Sequence, residues 1–401
     1  MKITINSSEL LKALTITHTA LNPKPSQAAL ACTIVEAKAG VVRIYTFALD
    51  QGCIVSLDTS SVEITEEGLV CVPSESFLKF AKIIHEDITL TALEDFVLGL
   101  KTSKGSYTIQ GINPLEFPEL PVLQVAQCFD VSACQLKTGL AKTSGTAAKK
   151  EYSGGSTAVF ITVTDYCIEF FATDGSKAIK HTPKYTCQGS TTGGEVRARI
   201  PQRTVALLKK ILQEQKEDFT FYLSSAVASP QRSSYASYDF IVSGNITVFY
   251  LTPEGRDFTS IFSKRYPKEF TSVIKKEVAV KTLNRIKVFC PTEKCAFFSI
   301  GAEGNTLEIS KESYESYRDE KAEEWRQRLE LRATEFLPIT SSEGTLKART
   351  KVKVDDLLTA LRTFSSSAKD ETVKLTLGAI DGINLAILEN QDTQYLIAQK
   401  Q

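Results

Sequence analysis

The chain contains two short segments that are nearly the same, and an internal repeat constrains a fold more than any other feature of a sequence. Ile44–Gly52 reads IYTFALDQG and Ile168–Ser176 reads IEFFATDGS. Both follow the pattern Ile-x-x-Phe-Ala-x-Asp, at an offset of 124 residues (from 44 to 168). Asp-Gly between two β-like runs is by itself a common hairpin turn. The flanking sequence therefore decides whether a larger unit is repeated.

Helical patterns flank both copies at nearly the same offset. Asn6-x-x-Glu9 and Ser132-x-x-Gln135 resemble capping boxes at the start of amphipathic helices. Pro73 and then Pro201 suit the first position of a second helix, and a β-like run follows each helix. The apolar positions expected to face inward are Leu10, Leu14, Leu21, Phe77, Ala81, Ile84, Leu136, Leu140, Val205, Leu208 and Leu212.

A third copy is fainter. A candidate first helix begins at Val280, a second places Val354, Leu357 and Leu361 on one face, and a strand follows from Glu371. We therefore predict an α+β fold of three tandem similar domains, each with two helices packed on a mostly antiparallel sheet. The boundaries are predicted near Ala126 and Pro267, which gives domains 1–126, 127–267 and 268–401.

Length and charge restrict the class of protein. A chain of 401 residues suits two or three domains. Lys plus Arg equals Asp plus Glu, 47 each, which excludes a uniformly basic nucleic-acid binder but permits a basic surface that is offset elsewhere. No apolar run reaches the roughly 18 residues of a spanning helix, and the start of the chain lacks a signal peptide's apolar segment. We expect a cytosolic protein with no membrane contact.

The residues of metal sites and active sites form no pattern. The nine cysteines contain no Cys-x-x-Cys, and His18, His85 and His181 lie far apart, so neither a metal nor a cofactor is predicted. Reduced, mostly buried thiols are expected. A phosphate loop, Gly-x-Ser-x-Gly and His-Glu-x-x-His are all missing from the sequence. An enzyme that shares the α+β repeat remains an alternative.

Four segments, in order, resemble the bacterial sliding clamps, the beta subunits of DNA polymerase III. They are MKITINSSELLKAL at the start, LEFPELP (Leu115–Pro121), FATDGSKA in the middle and YLIAQKQ at the end. The resemblance covers essentially the whole chain. It implies the DNA clamp fold, in which two chains join head to tail into a ring of six domains, with helices lining the hole and sheets forming the outer wall.

The resemblance also implies a function and partners. The ring would encircle duplex DNA without reading its sequence and would act as a processivity factor in the bacterial cytoplasm, with no catalysis. The DNA polymerase III alpha subunit, the clamp loader and other proteins with a clamp-binding motif would attach through a short peptide. A monomeric three-domain peptide-binding scaffold that never encircles DNA is the alternative.

The peptide pocket follows from the resemblance, position by position. It would use Thr173, Gly175, Ser176, Lys177, Ala178, Leu396, Ile397 and Ala398. The chain departs from the family there: Ser176 and Lys177 replace a His-Arg pair, Ala178 replaces a leucine, and Ala398-Gln399 replaces Met-Pro. We expect a shallower pocket or a different peptide preference. Alternatively, YLIAQKQ only completes a sheet.

A sliding ring needs weak, sequence-independent contacts with phosphates. The predicted DNA-facing residues are Lys24, Lys79, Lys82, Lys149, Lys150, Tyr152, Arg203, Lys209 and Lys210. Lysines opposite an apolar stripe can instead simply solvate a helix. Asp355 and Asp356 also break the basic trend in the third copy.

Two further expectations concern the seam and an insertion. The resemblance places Tyr107, Val288 and Phe289 at the dimer interface, with ordinary packing inside each domain as the alternative.

The charged segment Lys311–Phe336 is longer than the family's connection at that point. It is either a solvated extension or a partner contact through Tyr314, Tyr317 and Trp325.

Overall fold

The computed structural model describes most of the chain. The described residues are 1–60, 62–148, 156–183, 194–224, 237–252, 258, 261–262, 266, 268–289, 295–300, 306–312, 332–344, 346, 350–364, 371–380 and 383–400. Lys149, Lys150, Tyr152, Tyr314, Tyr317 and Trp325 lie outside them. Within the described part, one order of strands and helices occurs three times along the chain, with one additional strand, β5 (Val62–Glu66), in the first repeat.

The first repeat opens with a strand and a capped helix. Asn6 Oδ1 accepts a hydrogen bond from the Ser8 backbone N–H at 3.0 Å. Glu9 pairs with Lys12 at 2.9 Å instead of completing the predicted capping box. The elements are β1 (Lys2–Ile5), α1 (Ser7–Thr19), β2 (Cys32–Lys38), β3 (Val41–Phe47), β4 (Gln51–Leu57), β5 (Val62–Glu66), β6 (Gly68–Pro73), α2 (Ser74–Ala81), β7 (Ile88–Ala92), β8 (Val97–Lys101) and β9 (Ser106–Gln110).

The second repeat contains the reciprocal capping box that its sequence predicts. The Gln135 N–H donates to Ser132 Oγ at 3.3 Å, and the Ser132 N–H donates to Gln135 Oε1 at 3.4 Å. The elements are β10 (Val125–Val131), α3 (Ala133–Thr143), β11 (Ala158–Val163), β12 (Ile168–Thr173), β13 (Lys177–His181), β14 (Val196–Pro201), α4 (Gln202–Glu214), β15 (Phe219–Ser224), β16 (Tyr238–Ser243) and β17 (Ile246–Leu251).

The first helix of the third repeat begins at Lys276, four residues before the predicted Val280. Tertiary contacts hold this extra turn, since the Lys276 ammonium lies 2.8 Å from the carboxylate of Glu371 and its N–H bonds the Glu371 carbonyl. The elements are β18 (Phe270–Lys275), α5 (Lys276–Val288), β19 (Cys295–Ile300), β20 (Thr306–Glu312), β21 (Arg332–Gly344), β22 (Thr350–Lys353), α6 (Val354–Thr363), β23 (Thr372–Ile380), β24 (Ile383–Glu389) and β25 (Thr393–Lys400).

The strand pairings recur along with the order of elements, and all those described are antiparallel. The first strand of each repeat pairs with the strand after the second helix, in β1·β7, β10·β15 and β18·β23. The strand before the second helix pairs with the strand after the first, in β6·β2, β14·β11 and β22·β19. The predicted α+β repeat is confirmed.

The helices bury the predicted stripes. Leu21 and Ile84 are half-buried, and the other predicted inward positions are buried. Each helix therefore lays one apolar face on its sheet, which is the main source of stability for an amphipathic helix.

The hairpin turns correct the offset of the repeat. Phe47 pairs with Gly52, and Thr173 pairs with Ala178. Thr173 is thus the counterpart of Phe47, at an offset of 126 residues (from 47 to 173), which also separates the two predicted capping boxes. The shared Phe-Ala-x-Asp motif has an offset of 124 residues, two fewer than the strand pairing, so its residues are not structural counterparts. A short sequence match does not fix the register of a strand.

The chain divides into two compact units. One consists of Met1–Leu140, Ala158–Ile168 and Tyr185–Glu254, and the other of Ala141–Thr157, Glu169–Lys184 and Gly255–Gln401. The first holds the sheets β5-β1-β7-β8-β9 and β10-β15-β16-β17-β4-β3-β2-β6 and the pair β11·β14. The second holds the series β12-β13-β25-β24-β23-β18-β21-β20-β19-β22. The predicted boundary at Ala126 falls inside β10, and that at Pro267 lies outside the described residues, so the two domain boundaries stay a prediction.

Candidate functional site

The structure brings together the two segments predicted to form a pocket, although they lie far apart in the sequence. β13 and β25 are neighbouring antiparallel strands, with Lys177 opposite Ile397 and Ala178 opposite Leu396. The Ala398 N–H donates to the Ser176 carbonyl at 2.8 Å. The hairpin after Thr173 therefore borders the last strand directly.

One side of this sheet carries a row of small and aliphatic side chains. Thr173 is opposite Ala178, Ala178 is opposite Leu396, and Leu396 is opposite Ile387, so all four share one face. Ala398 lies on the same face, and we call this side the Leu396 face. Thr173, Ala178 and Leu396 are 1%, 2% and 5% exposed, whereas Ile387 and Ala398 are half-buried. In the free chain the row is thus open mainly at Ile387 and Ala398.

Aromatic side chains border the row. Phe171 lies two residues before Thr173 on β12, and its ring meets that of Phe262 edge to face at 6.0 Å. Such a contact adds about 0.5–1.5 kcal/mol to the burial of two aromatic rings. Phe262 thus packs against the Leu396 face at Phe171.

The turn between β12 and β13 is a hairpin fixed by its own side chains. Gly175 has a φ of +85°, which favours glycine. Asp174 Oδ1 accepts the N–H groups of Ser176 and Lys177, each at 2.9 Å. Thr173 Oγ1 donates to the Lys177 carbonyl at 2.8 Å. Gly175 and Ser176 are exposed, so the turn presents a rigid rim beside the Leu396 face.

Lys177 and Ile397 lie on the opposite side of the sheet from Ala178 and Leu396, because neighbouring residues of a strand alternate between faces. Lys177 Nζ is 2.7 Å from Asp356 Oδ1 of α6 and 3.4 Å from Asp174 Oδ2. Burial lowers the pKa of Lys177, but the hydrogen bond and charge of Asp356 outweigh burial and raise it above the usual value. Ile397 is 1% exposed. Of the eight predicted pocket residues, four therefore lie on the Leu396 face, two lie on the opposite face, and Gly175 and Ser176 lie in the turn.

A second polar cluster lies at the other end of β13 and was not predicted. Lys142 Nζ is 3.4 Å from Asp392 Oδ2, and His181 Nδ1 is 3.0 Å from both the Asp392 carbonyl and Thr393 Oγ1. His181 is 1% exposed. Burial first, and then the charge of Lys142, lower the pKa of His181 to about 4. No local sequence pattern signals this cluster, because Lys142 and Asp392 are 250 residues apart.

The predicted DNA-facing residues differ in their surroundings. Lys24, Lys82 and Lys209 are exposed, and Lys210 is half-buried. Lys79 is exposed but lies 2.6 Å from Glu75 one turn earlier. Arg203 forms an ion pair with Asp50 and donates to the Ala20 carbonyl at 3.2 Å. Lys149, Lys150 and Tyr152 lie outside the described residues.

The predicted seam residues are exposed apolar groups. Tyr107 on β9 is 47% exposed and packs on Phe80, with 5.2 Å between the ring centroids. Val288 and Phe289 at the end of α5 are 74% and 36% exposed. Two exposed apolar residues that were not predicted are Ile83 after α2, which is 71% exposed, and Phe336 on β21, which is 57% exposed. In the sequence, such residues could be recognised as apolar positions that lie outside the predicted inward-facing stripes.

No cluster of three or more His, Cys, Asp or Glu side chains is arranged to bind a metal ion in the part of the chain that the structure describes. In that same part, no helix combines the length and the apolar character needed to cross a membrane.

Comparison with known proteins agrees with the architecture. No protein-family model matches the chain. A beta sliding clamp of Synechococcus elongatus is 26% identical over 215 residues, which cover 53% of this chain and 56% of that protein. The chain spans about half the length of the curated relatives it matches. A beta sliding clamp of Synechocystis is 22% identical and is covered over 82% of its length by 78% of this chain.

Solved structures match over the whole length. The DNA polymerase III beta chain of Streptococcus pneumoniae has a TM-score of 0.82 at 14% identity and covers 100% of this chain and 99% of its own. The chain has the fold of a bacterial sliding clamp. A Pseudomonas aeruginosa sliding clamp bound to griselimycin has a TM-score of 0.80 at 15% identity, covering 100% and 99% of the two chains. The predicted clamp fold and the resemblance to the sliding clamps are confirmed.

Proposed function

We propose that this chain is the subunit of a homodimeric ring that encircles duplex DNA and keeps DNA polymerase III on its template. The ring would act in the bacterial cytoplasm, would catalyse no reaction and would hold DNA by enclosing it. The clamp loader, the polymerase alpha subunit and other partners would reach it through a short peptide. The observation that carries this proposal is a pair of strand edges that the repeat leaves free.

The repeat itself indicates how two copies would join. The last strand of one repeat pairs with the strand after the turn in the preceding repeat, in β17·β4 and again in β25·β13. By the same rule, β9 of the first repeat should pair with β21 of the third repeat in another copy. Among the described strands, β9 pairs only with β8, and Arg332–Pro338 of β21 pairs only with β20. Free edges with exposed apolar side chains favour strand addition.

The seam is tested by charge placed on β9. Tyr107→Asp puts a carboxylate into the proposed apolar contact and should halve the native mass from about twice 44.1 kDa to that of one chain. Tyr166→Asp is the matched control, because Tyr166 is 82% exposed in the β11–β12 turn and lies outside the proposed seam. A wild-type chain of single mass would contradict the ring and favour the monomeric scaffold.

The cations support a weak hold on DNA. Each cation near a phosphate adds sequence-independent attraction through counterion release. Lys24, Lys82 and Lys209 are exposed on the first unit, and the balanced total charge keeps the overall attraction small. A ring of this kind slides because its contacts position the duplex without reading bases.

The Leu396 face and its rim suit a short apolar peptide. Such a ligand needs aliphatic surface for its anchors and a rigid border that fixes its direction. Ile387 and Ala398 offer the first, and the exposed turn at Gly175 and Ser176 offers the second. The small side chain of Ala398 leaves room there for a larger anchor than a longer side chain would.

Griselimycin is a suitable probe because a structural neighbour is bound to it. Ala398→Glu should weaken its binding at least tenfold, since the carboxylate would stand in the apolar row. Gln399→Glu is the matched control, because it adds the same group one residue later on the opposite face. Equal effects of the two substitutions would contradict the assignment of the Leu396 face.

A further inference from the structure

The ion pair between Lys177 and Asp356 joins the proposed site to a helix beneath it. Lys177 is the first residue of β13, and Asp356 is the third residue of α6. Their charged atoms are 2.7 Å apart, and the side chains are 19% and 12% exposed. At this burial salt screens the pair less than it screens a surface pair, and removing one partner leaves the other charge buried and uncompensated.

The same contact occurs in neutral form between the first and second repeats. The Ala48 N–H donates to the Gln51 carbonyl as the Asp174 N–H donates to the Lys177 carbonyl, so Gln51 is the counterpart of Lys177. The third residue of α4, Thr204, donates from Oγ1 to Gln51 Oε1 at 3.0 Å. The contact from strand to helix is therefore a feature of the repeat, and it is ionic only beside the proposed site.

Lys177 stands between the rim and the apolar row. Its neighbour Ser176 accepts the Ala398 N–H through its carbonyl, and its other neighbour, Ala178, belongs to the Leu396 face. Anchoring the Lys177 side chain to α6 thus fixes the backbone on which both features are built.

We propose that the Lys177–Asp356 pair is a latch that positions the Asp174–Ser176 turn beside the Leu396 face and thereby sets the affinity of that face for a partner's peptide. Neither side chain touches the peptide, so both are positioning residues. The effect on affinity rests on the proposed function of the Leu396 face, whereas the effect on the turn does not.

Griselimycin affinity and hydrogen exchange test the latch in the full chain. Lys177→Met and Asp356→Asn should each weaken binding about tenfold, the double variant should bind no worse than either, and Lys177→Arg should restore binding. Lys276→Met is the matched control, because the Lys276–Glu371 pair is 2.8 Å long and also 19% and 12% exposed. Lys276→Met should lower thermal stability about as much as Lys177→Met does, and it should leave the affinity for griselimycin unchanged.

Three results of the binding measurements would overturn the latch. Unchanged or tighter binding by Asp356→Asn would show that Lys177 contacts the ligand directly. Additive losses in the double variant would show that the two residues act separately. Equal weakening by Lys276→Met would show that only stability matters.

Hydrogen exchange separates the latch from the proposed function. If wild-type protein failed to bind griselimycin, the proposed role of the Leu396 face would be contradicted. The amides of residues 174–178 should still exchange faster in Lys177→Met and Asp356→Asn than in wild type or Lys276→Met. Unchanged exchange there would overturn the latch whatever the ligand does.

Discussion

Acidification should destabilise the sheet beneath the proposed site through His181. Because the Asp392 carbonyl can only accept, His181 Nδ1 carries the proton in the neutral ring. His181 Nε2 is then unprotonated, buried and without a hydrogen-bond partner among the described residues. Protonation would place a proton at Nε2 and a positive charge near Lys142. The folded state therefore favours the neutral ring.

The size and sign of this pH effect on stability follow from the difference between the folded and unfolded pKa values of His181. The folded pKa of about 4 lies below the ordinary value of about 6.5, so the unfolded state binds the proton more tightly. The contribution of His181 is complete above about pH 6.5 and is lost as pH falls towards 4. Between pH 7 and pH 5 the free energy of unfolding should drop by about 2 kcal/mol from this residue.

Urea denaturation followed by circular dichroism at both pH values measures this contribution. His181→Asn keeps a donor near the position of Nδ1 and removes the titration, so wild type should lose about 2 kcal/mol more than the variant between pH 7 and pH 5. Parallel losses in the two proteins would refute the reasoning. Because the chain has two compact units, it can unfold in more than one step, and the step in which the unit with β13 unfolds must be identified first.

Further predictions concern packing and DNA contacts. Gly52→Ala should lower the free energy of unfolding by about 1–3 kcal/mol, because the new Cβ would overlap the ring of Phe249. Gly145→Ala should change thermal unfolding little, because its new Cβ meets no atom within 4 Å. Lys82→Gln should reduce the salt dependence of duplex association by about one released ion. Arg203→Gln should reduce it less, because Asp50 already neutralises that guanidinium; equal slopes for the two variants would contradict this assignment.

Local patterns predicted most of the fold. The apolar spacing of α4 and α6 places Leu208 and Leu361 inward, and both are fully buried. The capping box at Ser132 was predicted and formed, whereas that at Asn6 was only half formed because Glu9 found Lys12 nearby. Such patterns succeed because they depend on neighbours within one or two turns.

Contacts between distant segments were harder to predict. The latch between Lys177 and Asp356 and the cluster at His181 join residues that no local pattern relates. The sequence did contain one signal of how the pocket residues divide. Adjacent residues of a strand face opposite ways, so Lys177 and Ala178 cannot both line the same face of the sheet. The resemblance supplied positions, and strand register was needed to assign them to faces.

The most direct test of the proposed ring uses the topology of DNA. The protein is loaded on a nicked circular plasmid with the clamp loader, freed of unbound protein by gel filtration and then exposed to a restriction enzyme that cuts the plasmid once. The ring account predicts that the protein stays on the circle, leaves once the DNA is linear, and remains on linear DNA whose ends are blocked. Retention on linear DNA with free ends would contradict enclosure and show that the chain holds DNA by adhesion.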